Sequence, residues 1–135
     1  MEIKNMNSLT LAYIGDAIYE IYIRKYLVMN CKLSKVKTLQ KEAVKFVSAR
    51  GQADFLKKLI DENFLTPIET EVMLRARNHK TTSHPKNTDI IVYKYATGLE
   101  AIFGYLYLEE HYQRLEEWVE RIVGEKVCLY TEKML

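Results

Sequence analysis

The sequence predicts an all-α domain. Apolar residues recur at helical spacing in segment after segment of the chain. Glycine and proline are scarce, 5 and 2 in 135 residues, which leaves few of the tight turns that an all-β chain needs. The one run with strand propensity, Ile90-Ile91-Val92, continues into Tyr95, Leu99, Ile102, Phe103, Leu106 and Tyr107 at helical spacing, with no partner strand in view.

The elements follow in order. From Leu9 to about Val28 the chain is apolar nearly all round a helical projection, through Leu11, Ile14, Ala17, Ile18, Ile21, Tyr22, Ile23 and Val28. Such a helix is expected to be central and covered on most sides. Asn30-Cys31-Lys32 breaks it. Ser34 is the expected N-cap of a second helix that puts Val36, Leu39, Ala43 and Phe46 on one face and Lys37, Lys41 and Lys45 on another. Gly51 marks a break or a close packing point, beyond which Phe55, Leu56, Leu59 and Ile60 continue the helical pattern. Thr66-Pro67-Ile68-Glu69 is the sharpest boundary. It offers a capping hydroxyl, proline at the first helical position and a glutamate placed to return the hydrogen bond. That helix runs to about Arg77, and the polar stretch 78–88, with Pro85, reads as a surface loop. After the long helix that absorbs Ile90-Ile91-Val92, a last amphipathic helix carries Leu115, Trp118, Val119 and Ile122 and stops at Gly124.

A single domain spanning 1–135 is expected, because this length accommodates one core and is short for two. With 48% hydrophobic and 28% charged residues, the chain is unlike a disordered one. The net charge of +2 is too small to argue for a nucleic-acid partner by itself, so placement of the basic residues has to carry any such argument. Cys31 and Cys128 are isolated from each other and from ligand-spaced histidines, so neither a zinc site nor a disulfide framework is indicated. The first residues hold no apolar signal core and no run reaches membrane-spanning length, so the expectation is a cytoplasmic protein without a membrane partner.

Asp16 is the most informative residue, because it stands in the middle of the most apolar helix. An ionised carboxylate buried there costs several kcal/mol unless a cation, a charged partner or a cleft compensates it, on the order of the usual desolvation penalty. Glu20 follows one turn later. Glu100 repeats the situation, with Gly98 and Gly104 beside it as Gly15 is beside Asp16. Two acids on two core helices, each bordered by glycine, point to helices that cross closely and share a cation. Oxygen donors alone favour Mg2+ or Mn2+ over zinc. The plainer alternative is that each acid pairs with a neighbouring Arg or Lys.

The basic residues cluster at Arg75, Arg77, Asn78, His79 and Lys80, with Lys86 following in the loop. With the lysine stripe they offer donors suited to phosphate. The alternative is a solvated face, with cations placed favourably at a helix C-terminus. His79 and His84 lie in irregular chain and read as surface histidines. Most of the tyrosines, including Tyr13, Tyr19, Tyr22, Tyr95, Tyr105 and Tyr107, fall on the apolar helices and read as packing.

Residues 11–20, Leu-Ala-Tyr-Ile-Gly-Asp-Ala-Ile-Tyr-Glu, resemble the signature helix of the ribonuclease III family, and residues 99–108 resemble the helix that bears its catalytic glutamate. Over nearly the whole chain the sequence is similar to the short bacterial branch of that family, including Val47-Ser48-Ala49-Arg50-Gly51-Gln52-Ala53, Arg75-Ala76-Arg77-Asn78 and Pro85-Lys86-Asn87-Thr88-Asp89. The resemblance implies the helical bundle of a ribonuclease III endonuclease domain that acts as a homodimer. It implies Mg2+-dependent cleavage of double-stranded RNA, giving 5′-phosphate and 3′-hydroxyl ends and maturing the 23S ribosomal RNA precursor. Asp16 and Glu100 carry over as catalytic, metal-binding acids. The family's further acids fall where this chain has Leu9, Ala12 and Thr97, and no residues remain for a separate double-stranded-RNA-binding domain. The alternatives are a non-catalytic RNA-binding module on the same fold and a helical scaffold with a structural acid pair.

Overall fold

The computed structural model describes residues 2–30, 33–80 and 89–124. Among these residues there are six helices and no strand: α1 (Ser8–Met29), α2 (Val36–Val47), α3 (Ala49–Asp61), α4 (Pro67–Arg77), α5 (Ile90–Leu108) and α6 (Tyr112–Val123). A single 3-10 turn, Ile3–Asn5, precedes α1.

Capping chemistry sets most of the starts. The Asn7 side chain accepts from the amides of Leu9 and Thr10, and Asp89 accepts from Ile91 and Val92. The latter explains why a β-branched run opens a helix, since its amides are satisfied at once and Val92 goes into the core. The Thr66–Glu69 capping box forms as the sequence predicts. Ser34, by contrast, is not a cap: Lys35 occupies that position with no side-chain bond, and Val36 is 78% exposed rather than on the buried face. The break between α2 and α3 falls at Ser48, whose hydroxyl accepts from the Gly51 amide at 3.1 Å. Gly51 is the close packing point, because a Cβ there would overlap the Lys45 carbonyl oxygen. Gly124 ends α6 at φ +60, where an L side chain is disfavoured.

The central helix is α5, not α1. It buries eleven of its nineteen residues and packs against α1, α3, α4 and α6. Tyr19 of α1 meets Phe103 edge-on at 5.0 Å, Phe103 meets Trp118 of α6 at 6.0 Å, and Trp118 meets Phe64 at 5.0 Å. The Tyr19 hydroxyl donates to the Phe46 carbonyl at 2.7 Å, which ties α1 to the end of α2. Arg114 holds α6 down on α4 by donating to both carboxylate oxygens of Glu69, at 2.8 and 2.9 Å.

One side of α1 stays uncovered. Tyr13 is 83% and Ile21 61% exposed, and Ala17 and Val28 are exposed with them. Tyr13 is therefore not core packing. An apolar helix reads the same in sequence whether its own chain or another surface covers it. No described helix is long and apolar enough to cross a membrane.

Candidate metal-carboxylate site

The site lies where α1 crosses α5. A Cβ on Gly15 would overlap the Glu100 carbonyl oxygen and stand 2.8 Å from the Gly104 nitrogen. A Cβ on Gly104 would overlap the Leu11 carbonyl oxygen and stand 2.9 Å from Ile14 Cγ2. The two backbones touch, as the paired glycines predict. Gly98 does not belong to this crossing; it faces Met73 of α4 and Leu56 of α3.

The crossing brings the Asp16 and Glu100 carboxyl groups within hydrogen-bonding reach of each other. They are not equivalent. Asp16 is exposed and Glu100 largely enclosed, so the desolvation argument made for Asp16 applies to its partner instead. Burial pushes the Glu100 carboxyl up to about 8, with the Asp16 charge and the hydrogen bond to Asp16 adding to the rise, while the Gln52 amide opposes it. No arginine or lysine is among the groups acting on Glu100, and neither acid is in an ion pair among the described residues. That disfavours the plainer alternative of two separate salt bridges. Glu20 stands apart from the pair, held by Arg24 at 2.8 Å.

Two carboxyl groups pressed together without a counter-charge are the donor set of a hard divalent cation. The positions of the family's other acids add nothing: Ala12 is buried and the Thr97 hydroxyl donates to the Tyr93 carbonyl of its own helix at 2.9 Å. Among the described residues no group of three or more His, Cys, Asp or Glu is assembled. A cation with one or two protein carboxylates, completed by water and phosphate oxygens, is the usual Mg2+ arrangement. The residues present fit it.

The residue missed in sequence is Gln52. It is 3% exposed, on the buried face of α3 beside Ala53, Leu56 and Leu59. The available signal was a polar side chain in the apolar register of that helix.

The basic residues divide. Arg75 is a correction: its guanidinium donates to the carbonyls of Lys4 and Met6, the latter at 2.6 Å, and so staples the N-terminal turn to α4 instead of facing solvent. Arg77 lies over the Tyr95 ring, 5.5 Å from its centroid, with Lys57 4.8 Å from the same ring. Asn78 and Lys80 are exposed and His79 is partly buried. Lys37, Lys41 and Lys45 are exposed along α2, with Lys45 paired to Glu42. Lys86 and His84 lie outside the described residues.

A helical domain with a carboxylate pair at a glycine-paired crossing defines a class, and sequence comparison agrees with it. Residues 9–111 match the ribonuclease III domain. The chain belongs to the ribonuclease III family, in its short branch, and is an endoribonuclease. It is 43% identical to the Mini-ribonuclease 3 of Enterococcus faecalis over 125 residues, covering 90% of this chain and 94% of that one. To the Mini-ribonuclease 3 of Staphylococcus aureus it is 40% identical over 121 residues, 90% of each chain. The crystal structure of a Fusobacterium nucleatum protein, 32% identical, superposes with a TM-score of 0.79 over 91% of this chain and 98% of that one. Ribonuclease III enzymes are generally dependent on divalent metal ions.

Proposed function

We propose that the chain cleaves double-stranded RNA as a homodimer, with Asp16 and Glu100 of each copy holding Mg2+, or Mn2+ in its place. The meeting of the two carboxyl groups at the Gly15–Gly104 crossing, one enclosed and one open to solvent, carries this reading.

Each acid has a task set by its surroundings. Glu100 is the anchor, because the helices around it hold its side chain. Its raised affinity for a proton means that a cation held there would have to displace that proton. Asp16 is on the open side, where a phosphodiester can approach without displacing core residues. Mg2+ held by Asp16 and Glu100 would supply the positive charge that lowers the pKa of a water and stabilises the leaving oxygen. Arg77, Asn78, His79 and Lys80 at the end of α4, with Lys86 beyond, are positioned by sequence to meet phosphates. A-form RNA offers its backbone and 2′-hydroxyls rather than its closed major groove, so binding is expected to fall steeply with salt. The similarity to the short branch supports the paired ends of the 23S ribosomal RNA precursor as the natural substrate, and the cytoplasm as its setting.

Purified protein with a defined RNA duplex, with and without Mg2+, followed by end mapping, tests the reading. The expected products carry 5′-phosphate and 3′-hydroxyl ends and require the cation. Binding of the duplex without cleavage at any Mg2+ concentration would establish the RNA-binding module instead.

The exposed face of α1 supports the homodimer. Tyr13, Ala17, Ile21 and Val28 form an apolar stripe next to Asp16, and burying such a stripe is worth about 25 cal/mol for each Å² removed from water. Ile21→Glu is expected to shift the protein to monomers in sedimentation velocity. An unchanged sedimentation coefficient would place the subunit contact elsewhere.

A further inference from the structure

We propose that Gln52 is a positioning residue of this site: its side-chain amide, clamped by the Val47 carbonyl, fixes the carboxyl group of Glu100 for the cation it shares with Asp16. The inference rests on the reading of the carboxylate pair given above.

Gln52 is out of place by polarity. Gln52 occupies a core position of α3 and is 3% exposed, where a side chain of similar size and no polarity would pack without cost. Its Nε2 donates to the Val47 carbonyl at 2.9 Å, and the same amide is near enough to the Glu100 carboxyl to favour its charged form. The Val47 carbonyl can only accept, so the amide must turn its nitrogen toward it. The consequence is that Oε1 is buried with no partner. Buried acceptors are nearly always satisfied in native proteins, and a core chosen for stability alone would not retain this one. What the amide does retain is a rigid, neutral donor between the end of α2 and the enclosed carboxyl of α5.

Neutrality is the useful property. An arginine or lysine at this place would neutralise the pair and compete with the divalent ion, and an acid would add to the repulsion. An amide orients a ligand carboxyl group and leaves its charge for the cation, the ordinary task of a group that hydrogen-bonds a metal ligand. The two helices that cross at Gly15 place the acids side by side; α3 determines which way the buried one points.

The test uses Gln52→Met, which is close in length and lacks the donor, with Gln52→Leu alongside. Two quantities are expected to move together. Mn2+ binding to the RNA-free protein weakens about tenfold, and the Mg2+ concentration giving half-maximal cleavage rises about tenfold. Cleavage at saturating Mg2+ is expected to recover, and melting in EDTA to hold or rise because the unpaired carbonyl is gone. A folded Gln52→Met protein with unchanged Mn2+ affinity would overturn the proposal, as would loss of the fold in both variants, which would mark Gln52 as structural only. Asp16→Asn serves as the control. If it too binds Mn2+ normally, the carboxylate site itself has been misassigned; if it loses Mn2+ while Gln52→Met does not, only the role of Gln52 fails.

Discussion

Asp16→Asn and Glu100→Gln are each expected to lower Mg2+-dependent cleavage of duplex RNA by about a thousandfold or more, the scale on which catalysis depends on a residue that acts as part of a unit. Neither change is expected to unfold the protein, and the two should differ in what they do to stability. Asp16 is exposed, so its amide replacement costs the fold little. Glu100 is enclosed and its folded pKa, about 8, stands above the ordinary 4.5. A raised carboxyl pKa means that the folded state keeps a proton that the unfolded chain releases. Stability of the metal-free protein is then fully retained below the ordinary value and is lost as pH rises through the window from 4.5 to about 8. Melting in EDTA across that window is expected to show a falling melting temperature, largely restored by added Mg2+. Glu100→Gln should remove most of the slope, because it keeps the shape of the protonated acid and has nothing to ionise. Cleavage by Asp16→Asn at the unsubstituted rate would sink the catalytic assignment, and an undiminished slope in Glu100→Gln would sink the electrostatic one.

How far the sequence disclosed this site depends on which property is considered. Helix boundaries were legible wherever a cap was written in short-range chemistry, as at Thr66–Glu69 and Gly124, and blurred at Ser34, where a suitable residue type stood one position away from the cap. The pairing of Asp16 with Glu100 was legible because glycines beside both acids imply a close crossing, and that crossing is present. Their unequal burial was not. The apolar surroundings of Asp16 come from one helix, while exposure is decided by the other helices that pack upon it, and those leave one side of α1 bare. The same limit applies to Arg75 and Gln52. Nothing near Arg75 in sequence shows that the carbonyls of Lys4 and Met6 will fold back onto it. Nothing near Gln52 shows that Glu100, forty-eight positions later, is its neighbour. Local chemistry reads well from sequence, and the employment of a donor by a distant acceptor does not.

Gly15→Ala is expected to have the second largest effect, and through the fold rather than the chemistry. The added methyl would overlap the Glu100 carbonyl oxygen. A clash with a flexible side chain is relieved by a rotamer change, but this one is with the backbone of the most buried helix in the molecule, which α1, α3, α4 and α6 all grip. Relief requires α1 and α5 to separate along their contact, and such a separation also opens voids around Leu11, Tyr19 and Ile23, which are now sealed. Overpacking ordinarily costs about 1–3 kcal/mol; a forced displacement of two core helices belongs in the exceptional range above about 4 kcal/mol, comparable with the total stability of a small domain. The expected outcome is a protein that is largely unfolded at working temperature, or folded only with Mg2+ present. Gly104→Ala, which meets the Leu11 carbonyl across the same crossing, should behave alike. Gly98→Ala, whose nearest neighbour is the Met73 side chain at 3.1 Å, should be far milder, because that thioether can move aside. Thermal unfolding of the three variants measures this directly, and equal melting temperatures for Gly15→Ala and Gly98→Ala would show that the helix crossing is not what holds the two acids together.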